Sequence, residues 1–317
     1  MLRSLIYNFL KDFSIKVDNY FIVDKSLKIN NVFALTFHSV HLEKDKHNLS
    51  KYLNPKSSIS INKLDEFINF FLKKNIKFIN TNNIKSKDLS NNNIILSFDD
   101  GYYNNHLLID LVNKYNIPIE VFVSTSFIES QNLFWWDIMF NSAKNPEKFK
   151  HLNHSKLIKL SNNMFKKKMF SDINRPFTIN ELKSFSQNEN ILIGNHTHSH
   201  IINNKINSEF FFRDVKIAQD KLKNWLGYAP HSFAFPNGNC LSNEFEQFNK
   251  IGLFFNFKVF PNQFSYLEIN KNIALPRFMF SSDENIIKLF NAILKNGMTL
   301  KSLKLNYFLK SLIQTNV

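Results

Sequence analysis

Short apolar runs alternate along this chain with longer stretches in which apolar residues recur every third or fourth position. Runs at 32–38, 77–79, 94–96, 119–124, 232–235, 254–259 and 272–274, with another opening at Ile191, have the length and composition of buried strands. Between them, 59–74 places Leu64, Phe67, Ile68, Phe71 and Leu72 on one helical face. The same spacing returns over 104–115 until Pro118 breaks it, and again over 207–226, where Gly227 takes a C-cap position. Strand–helix alternation of this kind implies parallel strands with helices outside them, an α/β fold.

The rhythm fails over 129–190, a long lysine-rich stretch that reads as a helical insertion, helical around 151–171. It contains Phe134-Trp-Trp-Asp137, whose tryptophans could stack on a sugar ring or anchor the inserted helices to the core; the anchor is the preferred reading. Both ends read differently from the middle. Residues 1–30 form an N-terminal helical extension, with an opening apolar run that Lys11 and Asp12 cut short and no small-residue cleavage site after it. Residues 281–317 form a basic amphipathic C-terminal tail with no acid after Glu284, suited to docking on the core, anionic lipid or a partner. No segment approaches the roughly 18 uninterrupted apolar residues of a spanning helix. These features place the protein in the cytoplasm, with peripheral attachment at the inner face of the membrane as an option.

Composition changes this picture only modestly. The formal net charge of +14 admits nucleic acid, an anionic membrane surface or anionic sugars as partners. Zinc-finger spacing, RNA-binding aromatic motifs and helix-turn-helix patterns are all missing, so nucleic acid is set aside. Cys240 is the lone cysteine, which permits no internal disulfide and fits a reducing compartment.

Candidate chemistry gathers at two strand ends. Asn92-Asn-Ile-Ile-Leu-Ser-Phe-Asp-Asp-Gly101 runs an apolar strand into two adjacent carboxylates and a glycine. On an extended segment Asp99 and Asp100 point different ways, so one can hold a metal while the other faces the reacting water. Alternatively, either acid caps the helix beginning near Asn104. The second strand end is Ile191-Leu-Ile-Gly-Asn-His196-Thr-His-Ser-His200. His196 and His200 are four apart, sharing a face if the turn is helical, while His198 points elsewhere. Two imidazoles, one carboxylate and a position left for water form the ligand set of a hydrolytic zinc site.

These residues resemble a known family. Ser97-Phe-Asp-Asp-Gly101 is similar to the first motif of the polysaccharide deacetylases (carbohydrate esterase family four), T-F-D-D-G, and His196-Thr-His-Ser-His200 to the second, H-[S/T]-x-x-H. Phe233-Ala-Phe-Pro-Asn-Gly238 resembles the third, and Leu275-Pro-Arg277 matches a late L-P-R. The four stand in family order over residues 31–280. The resemblance implies a deformed (β/α)7-type barrel that removes N-acetyl groups from amino sugars. Asp100, His196 and His200 would hold a divalent metal, zinc first, with cobalt, nickel or iron(II) as alternatives, and Asp99 would serve as base. It also implies that Phe235, Pro236 and Asn237 line the site, Asn237 lending a backbone N–H to the oxyanion; on the sugar-stacking reading above, Trp135 is a further candidate substrate contact. Arg277 would orient a catalytic carboxylate; pairing with a structural acid is the alternative. Leu35-Thr-Phe-His38 is similar to the [L/M]-x-[Y/F]-H motif of a branch that includes the poly-N-acetylglucosamine deacetylases, where such a histidine is the general acid. Otherwise His38 is a strand-end histidine at the barrel mouth. The expected substrate is an N-acetylated amino sugar, free, polymeric or phosphate-linked, in surface-polysaccharide, lipopolysaccharide or capsule assembly. An amidase acting on a non-carbohydrate C–N bond and an inactive glycan-binding protein remain as alternatives.

Overall fold

A computed structural model of the chain describes residues 31–84, 92–143, 146–150, 152–240, 245–260, 262, 264–265, 268, 273–280 and 285–287. The N-terminal extension and nearly all of the basic tail expected from the sequence lie outside these residues. Within them, strands β1 (Asn31–Phe37), β2 (Ser39–His41), β3 (Ser58–Ser60), β4 (Lys77–Ile79), β5 (Asn93–Phe98), β6 (Ile119–Val123), β7 (Ile191–Asn195), β8 (Ser232–Ala234), β9 (Phe255–Val259), β10 (Phe264–Ser265) and β11 (Ala274–Met279) alternate with helices.

The principal sheet closes on itself. Seven parallel strands run β1-β5-β6-β7-β8-β9-β11 and return to β1, which pairs with both β5 and β11. This is the (β/α)7-type barrel expected from the sequence. Two strands sit outside the ring: β10 lies antiparallel against the start of β1, and β4 pairs with the first half of β5 while β6 pairs with its second half. A small parallel pair, β2 and β3, stands apart.

The period-two alternation of strand side chains decides what faces inward. On β5, Ile94, Leu96 and Phe98 join the outer core, against Leu64, Phe67, Ile68 and Phe71 of the helix Ile61–Leu72. Ile95 then faces the inner core with Val32, Ala34, Phe122, Ala234, Phe257 and Leu275. The same parity carries Ser97 and Asp99 inward from β5, and Arg277 inward from β11 two residues after Leu275. Arg277 therefore sits within β11, which extends well past the strand run read at 272–274, because 274–279 remains paired to β9 and β1. Gly194 on β7 has no room for a side chain, since a Cβ there would lie 2.3 Å from the Phe122 ring.

The stretch between β6 and β7 contains the helices Trp135–Ala143, His154–Met164 and Ile179–Phe185. The last is held at its start by a reciprocal cap between Thr178 and Glu181. Trp135, Phe134, Tyr102, Phe127, Met139 and Leu157 form the core joining this insertion to the barrel.

Candidate active site

The loops following the strands converge over the C-terminal mouth of the barrel, and several of their residues occupy left-handed backbone. Among them are Asp100 (φ 79°), Gly101 (φ 88°), Thr197 (φ 68°), His200 (φ 55°), Asn237 (φ 57°) and Gly238 (φ 70°). Each non-glycine in this region costs about 1 kcal/mol or more, so the surrounding contacts must hold them there. At Gly101 a side chain would be blocked as well, its Cβ falling 2.9 Å from Val123 Cγ1.

That geometry corrects two local expectations. The His196–His200 segment is not a helical turn; left-handed Thr197 and His200 fold it back instead, so that both imidazoles reach one point. Nor does either aspartate cap a helix. The turn Tyr103–Leu107 begins after Tyr102 without a side-chain cap, and Asp99 and Asp100 are committed elsewhere.

Asp100, His196 and His200 form one buried cluster, with Nε2 of His196 at 3.4 Å and Nε2 of His200 at 3.3 Å from Asp100 Oδ1. Burial alone would raise the Asp100 carboxyl, but the two imidazoles beside it hold it far below the usual range. Burial lowers His200 to about 4, leaving its ring neutral at pH 7 with a lone pair to give. His196 Nδ1 donates to the Ala234 carbonyl at 2.8 Å, which orients its Nε2 lone pair toward Asp100. Asp100 Oδ1 is buried without a hydrogen-bond donor. Three electron-pair donors facing one point, one of them an orphaned carboxylate oxygen, fit a divalent cation. His198 is turned away, its Nδ1 at 2.8 Å from Thr125 Oγ1.

Asp99 belongs to a second arrangement. Both its oxygens accept from the Arg277 fork, Nη1 to Oδ1 and Nη2 to Oδ2, each at 2.8 Å. Nη1 also donates to Ser97 Oγ at 3.0 Å. The guanidinium is fully buried, 5.2 Å from the Phe122 ring and 5.8 Å from that of Phe257. Burial pushes the Asp99 carboxyl upward; the Arg277 charge, followed by His196, outweighs it and keeps the group below the usual range. His38 stands at the end of β1 close enough for its charge to bear on both aspartates, and its carbonyl is fixed by Asn105 Nδ2 at 2.9 Å.

The third motif divides its residues. Phe235 turns outward and stacks on Phe211 with ring centroids 6.0 Å apart, and Pro236 is buried. Asn237 is exposed at the mouth, where Lys150 Nζ of the insertion donates to its Oδ1 at 2.7 Å. Of the paired tryptophans, Trp135 is buried in the insertion core, whereas Trp136 lies against His200 with centroids 4.3 Å apart. Trp136 Nε1 donates to Tyr102 Oη, and Tyr102 Oη to Asp137 Oδ2, each at 2.8 Å. Sequence reasoning gave this chain no role, although W-W-D and the tyrosine after D-D-G were its visible marks. Asp214 was missed altogether. From the helix Ser208–Leu226 it accepts from the His198 and Ser199 amides at 2.7 and 3.0 Å, pinning the histidine loop.

A family model described as polysaccharide deacetylase matches residues 86–255. Among solved structures, a Streptococcus pyogenes deacetylase, PplD, in complex with acetate superposes with a TM-score of 0.57 at 13% identity, over 82% of this chain and 97% of that one. The de-N-acetylase from Aggregatibacter actinomycetemcomitans gives 0.57 at 15%, over 83% and 99%. IcaB from Ammonifex degensii gives 0.53 at 14%, over 83% and 97%. No curated protein matches the sequence.

Proposed function

The chain belongs to the polysaccharide deacetylase family, and on that premise we propose that it is a metal-dependent hydrolase removing the N-acetyl group from an amino sugar in surface-polysaccharide, lipopolysaccharide or capsule assembly. One observation carries this reading: a buried carboxylate and two imidazoles converge on one point beside a second, arginine-held carboxylate.

Asp100, His196 and His200 would hold the cation, zinc by the chemistry of the donor set. When bound, it supplies Lewis acidity toward the acetamide carbonyl and toward water. The remaining work falls to the chain. Asp99 stays ionised under its Arg277 clamp, and each of its oxygens keeps a lone pair with which to take the proton of the attacking water. The fork fixes the plane of that carboxylate. The Asn237 N–H, at a turn held in left-handed backbone, is assigned to the oxyanion. His38 is assigned as the acid that protonates the departing amine, in keeping with its place at the end of β1 and with the branch whose early histidine it resembles. Water attack of this kind requires no serine or cysteine nucleophile.

Elemental mass spectrometry tests the assignment. Wild type is expected to carry about one divalent metal per chain and to release acetate from N-acetylated amino sugars. Asp100→Asn should lose both properties. Asp99→Asn should keep the metal and lose turnover, and full turnover in that variant would remove Asp99 from the role of base.

A further inference from the structure

The inserted region carries a feature that the hydrolytic site does not use. Between Glu147 and Asp172 the sequence has no acidic residue but holds Lys148, Lys150, Lys156, Lys159, Lys166, Lys167 and Lys168. Five of these, Lys156, Lys159, Lys166, Lys167 and Lys168, are exposed and form no ion pair with a described residue. The last three are bracketed by Phe165 and Phe170, each 41% exposed, although phenylalanine elsewhere in this chain mostly fills the core.

This prong is built, not loose. Met169 turns inward onto Leu133 and Ile138. The backbone is tied by Phe165 N to Ser161 O at 2.9 Å, by Met169 N to Lys166 O at 2.8 Å, and by Asn174 Nδ2 to Met169 O at 2.9 Å. With Met169 as its peg, the segment holds two aromatic rings and three ammonium groups outward. The chain then runs directly beside the loop that bears Asp100. Asn104 Nδ2 donates to Ile173 O at 2.7 Å, Tyr103 N to Arg175 O at 2.9 Å, and Phe177 N to Gly101 O at 3.1 Å. The prong is thus joined, a few residues on, to the segment that flanks the loop bearing Asp100.

Clustered lysines draw a surface toward anionic lipid, by about fivefold in partitioning for each one near the headgroups. Exposed aromatic rings among them add insertion at the interface, which a soluble polyanion does not reward. We propose that residues 165–170 seat the protein on an anionic lipid surface, with the active-site mouth turned toward it. The amino sugar presented there is then one linked to lipid; this clause rests on the hydrolase reading above, whereas the docking does not.

Sedimentation of the full chain with phosphatidylcholine vesicles, with and without phosphatidylglycerol, tests the proposal. Wild type is expected to bind only the anionic vesicles. The triple variant Lys166→Gln, Lys167→Gln, Lys168→Gln should lose about a hundredfold in partitioning. Phe165→Ser with Phe170→Ser should lose several-fold at unchanged charge. Both variants should release acetate from a soluble N-acetylated sugar at the wild-type rate. Wild-type failure to bind, or equal binding by all three proteins, overturns the docking, the latter assigning it to another part of the chain. Binding to RNA that depends on the lysines but not the phenylalanines, with no preference for vesicles, overturns it too. Prong-dependent vesicle binding by a protein that deacetylates no amino sugar upholds the docking while rejecting the hydrolase reading.

Discussion

Arg277 and Asp99 are each dependent on the other. A fully buried guanidinium needs acceptors, and a buried carboxylate needs a charge to remain ionised. Arg277→Met is expected to cost about 3–5 kcal/mol in a urea titration, because it leaves Asp99 enclosed without its cation. The pH dependence has a definite sign. With its folded value depressed, Asp99 adds stability that is present above its unfolded value and is lost as pH falls through the folded one. In Arg277→Met burial acts with its main opponent gone, so the carboxyl rises and the acid limb of the rate profile should move upward. An unmoved limb would mean that Asp99 does not set it. Arg277→Lys should recover less than wild type, since an ammonium cannot span both oxygens.

At the level of the element, the hydrogen-bonded path from Asp137 through Tyr102 to Trp136 ends against the ring of His200. Trp136→Phe removes the Nε1 donor and part of the ring on His200, and metal affinity in a chelator competition is expected to fall about tenfold. Trp135→Phe, in the insertion core, should lower the denaturation midpoint and leave that affinity unchanged. Equal losses of affinity would reject a special role for Trp136. These elements also show how far the sequence could be read. Ile94 to Asp99 was legible because strand parity and an acidic strand end are local, and the histidine loop because its residue types are unusual together. Which tryptophan faces the site was not, because the helix Trp135–Ala143 is rotated by contacts with Tyr102, Phe127 and Leu157 that lie far away in the chain. The left-handed turns at Asp100, Thr197 and His200 were equally hidden: none is a glycine, and each is imposed by the cluster it serves.

For the whole molecule, a second buried carboxylate inside the barrel has its own titration. Glu120 points inward on β6, in register with Ser97 of β5, and accepts from the Thr81 amide just beyond β4. Burial raises its carboxyl to about 7, against an ordinary value of 4.5. The folded state thus holds the proton more tightly than the unfolded chain. Its stability should decline as pH climbs from about 4.5 to about 7 and level off beyond, by up to about 3 kcal/mol. Denaturant titrations at pH 5 and pH 8 should show this decline in wild type relative to Glu120→Gln, and parallel curves would reject it. Closure of the ring has a consequence in time. Among the described strands β1 is made first, yet its second neighbour, β11, is made last, and Arg277 arrives with it. Pairings of such long sequence separation form slowly. Until they do, a nascent chain can gather Asp100, His196 and His200 and still leave Asp99 without its clamp. On the hydrolase reading proposed above, the centre is armed only once β11 is in place, so an incomplete chain would capture metal before it could turn over substrate.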